Sequence, residues 1–151
     1  MNIEHVSELM RRFSEDVELA LKFYADDCDF TDHPLEQKII NDKAKLRRAF
    51  IPFANKDPGN GMGIHHFDAL EYIGNEQSGL LQWQWTADHC ASIFGLSNPD
   101  GRRLSTNGMS FYVFHDGKIV REVVHSNQLE ILRQLGHSIE IEHFWEDPSF
   151  A

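Results

Sequence analysis

The chain has 151 residues, 41% hydrophobic and 25% charged, which fits one globular domain able to fold without disulfides or a structural metal. Its 24 acidic against 14 basic residues leave a net charge of −10, which repels phosphate backbones and argues against a nucleic-acid partner. No apolar run approaches the roughly 18–20 residues that span a bilayer, and the opening MNIEHVSELMRRF lacks the apolar core and small-residue site of a signal peptide, so a cytoplasmic protein is expected.

From the N-terminus, Ile3, Val6, Leu9, Met10, Phe13, Val17, Ala20 and Leu21 recur at helical spacing and predict one amphipathic helix running to about Tyr24. Residues 25–33 read as a short strand stopped by Pro34. Asn41 or Asp42 caps a second helix with Ala44, Leu46, Ala49 and Phe50 on its apolar face, and Pro52 ends it. The glycine-rich run 59–63 has no basic residue and no strand-to-helix setting, so it is a flexible loop and not a phosphate cradle.

Four strand-like runs follow: 64–73, 79–90, 104–115 and 118–126, the last two joined by the hairpin dipeptide Asp116-Gly117. Residues 128–135 form a short helix that Gly136 terminates. Helices first and hairpin-linked strands afterwards predict an α+β fold, a curved antiparallel sheet packed against N-terminal helices. Residues 1–137 are read as one domain. Residues 138–151 are a C-terminal extension whose Ile139, Ile141, Phe144, Trp145 and Phe150 pack on the domain or on a partner subunit. Cys28 and Cys90, without CxxC spacing, read as buried thiols in a reducing compartment.

The last strand carries the most polar pattern. Counted forward with period two, Ile119, Arg121, Val123, His125 and Asn127 share one face, the wall of a pocket if that face points inward. An inward Arg121 requires a carboxylate partner such as Glu71, or an anionic group on a ligand. Histidine titrates near neutrality, which makes His33, His89 and His125 the candidate proton carriers, with Asp32 placed to orient an imidazole. His65 and His66 are adjacent, so only one of them faces inward. Trp83 and Trp85 share a strand face and form either an aromatic wall over a ligand or core packing. No three or four ligands show metal-binding spacing, so neither metal nor cofactor is expected.

The segments FYADDCDFTDHPL (23–35), GRRLSTNGMSFYVFHDGKI (101–119) and LEILRQLG (129–136), in this order, resemble the SnoaL-like polyketide cyclases. These belong to the cone-shaped superfamily of nuclear transport factor 2, ketosteroid isomerase, scytalone dehydratase and limonene epoxide hydrolase. The resemblance implies a deep apolar pocket between sheet and helices, dimerisation through the sheet, and an aspartate that drives aldol ring closure. That aspartate opens a D-x-L-x-L-L-x-Q-L-G ending, and here the position is Asn127. An amide hydrogen-bonds and polarises but does not carry a proton, so Asn127 is expected to polarise a substrate oxygen. The expected function is acid/base chemistry (cyclisation, isomerisation, hydration or dehydration) on an apolar, oxygenated polyketide- or terpenoid-like molecule in a homodimer. The alternative is a non-catalytic binding or dimerising module of the same fold.

Overall fold

The computed structural model describes residues 2–150. The N-terminal amphipathic stretch forms two helices, α1 (Ile3–Glu15) and α2 (Val17–Leu21). The predicted single helix breaks at Asp16, whose extended backbone leaves the helix and whose carboxylate accepts the Glu18 amide, capping α2. Val6, Leu9 and Met10 of α1 are buried on the core side, and Phe13 packs against the same cluster.

Strand β1 (Tyr24–Asp32) turns back as β2 (Gln37–Ile40), a hairpin the sequence pattern did not reveal. Helix α3 (Lys43–Phe50) starts at Asp42, whose side chain accepts the Lys45 amide, and runs into a 3-10 turn over Ile51–Ala54. Three long strands then cross the molecule: β3 (Met62–Gly74), β4 (Ser78–Cys90) and, after the two-residue strands β5 (Ser92–Ile93) and β6 (Leu96–Ser97), β7 (Leu104–His115). Strand β8 (Lys118–Ser126) follows β7 through a turn in which Asp116 and Gly117 both have positive φ, 48° and 73°. That is the backbone a two-residue hairpin requires, and glycine adopts it without strain. Helix α4 (Gln128–Gln134) follows β8.

The main sheet has the order β2-β1-β8-β7-β4-β3. All neighbours are antiparallel except β1 and β8, which run parallel. The register shifts at three places: between Ala69 and Glu71, opposite Val113/Phe114, and between Tyr24 and Asp29. Bulges bend strands and add twist, which suits a sheet curved around helices. The core fills the space between one sheet face and α1, α3 and α4, with Leu81, Leu104, Tyr112 and Ile119 among its fully buried members. Cys28 and Cys90 are free thiols buried in it.

Beyond α4 the chain lies largely at the surface. Arg133 Nε donates to the Ile139 carbonyl, His143 stacks on Trp145 with ring centroids 4.6 Å apart, and Ile141, Phe144 and Trp145 are exposed. Among the described residues, no helix is long and apolar enough to cross a membrane.

Candidate functional site

The inner sheet face and the helices enclose a cavity with about 70 Å³ of room for the centre of a water-sized molecule. Aromatic rings dominate its walls: Phe13 from α1, Phe50 from α3, Phe53 from the 3-10 turn, Phe67 from β3, and Trp83 and Trp85 from β4. Trp83 and Trp85 are 5% and 3% exposed, so the structure brings both expected tryptophans to the wall. Gly108 of β7 makes this possible. It is the cross-strand partner of Trp83, and a Cβ there would lie 2.1 Å from the Trp83 ring.

The acid in this cavity is Glu122, 4% exposed, with no histidine beside it among the described lining residues. Tyr24 donates its hydroxyl to Glu122 Oε2 at 2.6 Å. Trp83 Nε1 donates to Ser110 Oγ at 3.1 Å, which leaves the Ser110 hydrogen free to point to the Glu122 carboxylate nearby. The Tyr112 hydroxyl is buried on the same side with no well-formed hydrogen bond. Burial raises the carboxyl to about 7, the nearby Asp32 charge adds to the rise, and the Tyr24, Ser110 and Tyr112 hydroxyls oppose it. Glu122 therefore exchanges its proton near neutrality, inside an apolar chamber.

Histidine was expected in that role, and the structure places the expected groups elsewhere. Arg121 and His125 are exposed, on the opposite side of β8 from Glu122, and Asn127, just past the strand, is exposed too. The reason is a bulge: Val113 pairs with Arg121 and Phe114 with Ile119, so Val120 is an extra residue. Past it the alternation reverses, and Glu122, Val124 and Ser126 face the cavity. Arg121 on β8 and Glu71 on β3 stand three strands apart, roughly 14 Å at normal strand spacing. They are not partners. Asn127 is the N-cap residue of α4, its side chain makes no capping bond, and its carbonyl accepts the Thr106 hydroxyl at 2.9 Å.

His33 is also exposed and stacks on His125 with centroids 4.6 Å apart. Beside them Asp32 is half-buried and accepts the Leu35 amide at 3.0 Å; burial raises its pKa, and the two imidazoles pull it back. His89 is exposed, at φ 59° near the end of β4, away from the cavity lining. Of the His65-His66 pair, His65 faces inward. It accepts Trp85 Nε1 at Nδ1 (3.1 Å), so Nε2 carries the hydrogen donated to the Met62 carbonyl at 2.9 Å. Burial lowers its pKa, which keeps it neutral. It holds Trp85 in place. Among the described residues, no group of three or more His, Cys, Asp or Glu is arranged for a metal ion.

Glu122, Tyr24 and Ser110 escaped the sequence reading. Period two carries the inward face from Ile119 to Arg121, and no residue type in the strand marks the bulge at Val120 that shifts it to Glu122.

The family model of the SnoaL-like domain matches residues 6–122. No curated protein matches the sequence. Among solved structures, AclR from Streptomyces galilaeus is similar with a TM-score of 0.70 at 17% identity, covering 97% of this chain and 88% of its own. A protein with a ketosteroid isomerase-like fold from Catenulispora acidiphila, solved in complex with trimethylamine, has a TM-score of 0.69 at 11% identity, covering 90% and 95%. A SnoaL-like protein from Jannaschia has a TM-score of 0.67 at 13% identity, covering 91% and 93%. At these identities the likeness is one of fold.

Proposed function

This chain belongs to the SnoaL-like domain family, and we propose that it binds an apolar, oxygenated small molecule in the aromatic cavity and transfers protons to and from it through Glu122. The observation that carries this reading is a buried carboxyl, raised to about 7, at the wall of a largely apolar chamber. A carboxylate in that state removes a proton from a carbon next to a carbonyl and returns it to the same or another carbon. Isomerisation, ring closure and dehydration share this step. Tyr24 keeps one carboxyl oxygen engaged and so orients the other.

The test is hydrogen exchange. Full-length protein is incubated in D2O with a panel of cyclic ketones, and deuterium entering the α-carbon is followed by NMR. Glu122→Gln is expected to slow exchange about 100-fold or more, with a wild-type rate that rises through pH 7. Unchanged exchange in the variant would remove Glu122 from the mechanism.

The non-catalytic module is favoured by one observation: Tyr24 already satisfies Glu122 Oε2 from within the fold. Tight ketone binding without exchange supports that reading. Self-association is supported by Leu80, Met109 and Phe111, which stand exposed on the outer sheet face. Sedimentation of Phe111→Lys against wild type tests it, a homodimer being expected only for the wild type.

A further inference from the structure

Several rings lining the cavity meet at steep angles, while Phe13 with Phe53 at 41° and Trp85 with Phe94 at 31° are tilted. Phe30 lies at 79° to Phe50, Phe13 at 83° to Phe67, and Phe67 at 73° to Trp83. Rings set this way enclose a rounded space, whereas a planar ligand is best held in a slot between parallel rings. Among the described lining residues Glu122 is the one charged side chain, and no Lys, Arg or His accompanies it. An anionic ligand would find no counter-charge here. A neutral ligand leaves the ionised carboxylate with hydroxyl partners alone, Tyr24 at 2.6 Å among them, and with no counter-charge.

A cation supplies that counter-charge. Aromatic faces carry negative potential and attract a positive charge, the carboxylate neutralises it, and the protein's net charge of −10 concentrates cations around the molecule. Methylated ammonium groups suit aromatic walls best, because their charge lies under apolar methyl groups. We propose that this cavity binds a small alkylated ammonium ion, its methyl groups against Phe30, Phe50, Phe67 and Trp83 and its charge paired with Glu122. The inference rests on the same cavity and the same carboxyl as the proton-transfer reading, but it needs no turnover. Because the free carboxyl holds a proton part of the time at neutral pH, binding the cation displaces that proton.

Calorimetric titration of the full chain with choline, and with its neutral carbon isostere 3,3-dimethylbutan-1-ol, tests this. At pH 8 choline is expected to bind at least tenfold more tightly than the isostere. Its affinity should fall as pH drops from 8 to 5, since protons compete for Glu122. Glu122→Gln should lose at least tenfold in choline affinity and keep its affinity for the isostere. Equal binding of the two probes, choline affinity independent of pH in the wild type, or no choline binding at millimolar concentration each overturns the proposal. The wild-type pH series stands even if the variant folds poorly. Ketone exchange is read separately, so a failure here leaves the proton-transfer reading to its own assay.

Discussion

Replacing Glu122 with Gln should make the protein relatively more stable as the pH rises. In the native protein the carboxyl is raised from its ordinary value of 4.5 to about 7, chiefly by burial. Between those two pH values the native state holds a proton that the unfolded chain has released. Stability therefore falls as pH rises through this window and levels off above about 7. At about 1.4 kcal/mol for each pH unit between the two values, the full loss is roughly 3 kcal/mol. Glutamine keeps the shape and an acceptor for Tyr24 but does not titrate. Urea unfolding of wild type and variant from pH 4 to 9 isolates the effect, because other titrating groups cancel in the difference. The difference should shift by roughly 3 kcal/mol in favour of the variant between pH 4.5 and 7. A difference that stays flat across this range means that Glu122 titrates as an ordinary carboxylate, and the proton-transfer reading loses its basis.

Tyr24→Phe removes the hydrogen bond that favours the ionised form, so it should cost about 1–2 kcal/mol and push the Glu122 titration to higher pH, as read by NMR of the labelled carboxyl. Gly108→Ala drives a methyl group into the Trp83 ring; an overpacking loss of about 1–3 kcal/mol and an altered near-UV circular dichroism spectrum are expected. His65 has a pKa lowered from 6.5 by burial, so the unfolded chain takes up its proton first and stability should fall as pH drops below about 6.5. The stability difference between wild type and His65→Gln measures that limb. His125 on the outer side of β8 and Asn127 just past the strand are both exposed, so His125→Ala and Asn127→Asp should each change stability by about 0.5 kcal/mol or less and leave ligand binding unchanged; a tenfold loss of binding would restore the face expected from period two.

Much of the architecture was legible because it is local. The apolar spacing of α1, the Asp42 cap, the Asp116-Gly117 turn and the bounds of β7 and β8 depend on neighbours within a few residues. Strands β2, β5 and β6 were not legible, being two to four residues long with too little alternation to register. The parallel pairing of β1 with β8 joins segments about 90 residues apart in the chain, and no local pattern announces it.

The candidate site divides the same way. Trp83 and Trp85 were legible as a shared face because β4 is regular around them. Glu122 was hidden by one inserted residue, Val120, whose bulged state is set by its pairing with β7. Its proton affinity was hidden further, since that depends on Tyr24, Ser110 and Tyr112 arriving from β1 and β7. By itself the sequence determined the order of elements, the acidic surface and the abundance of aromatic side chains. Only the tertiary structure decided which face of β8 looks inward, and therefore that the ionisable side chain lining the cavity is a glutamate and not a histidine. The physical reason is that side-chain direction in a strand follows its cross-strand partners, and a buried pKa follows whatever distant segments take away its water.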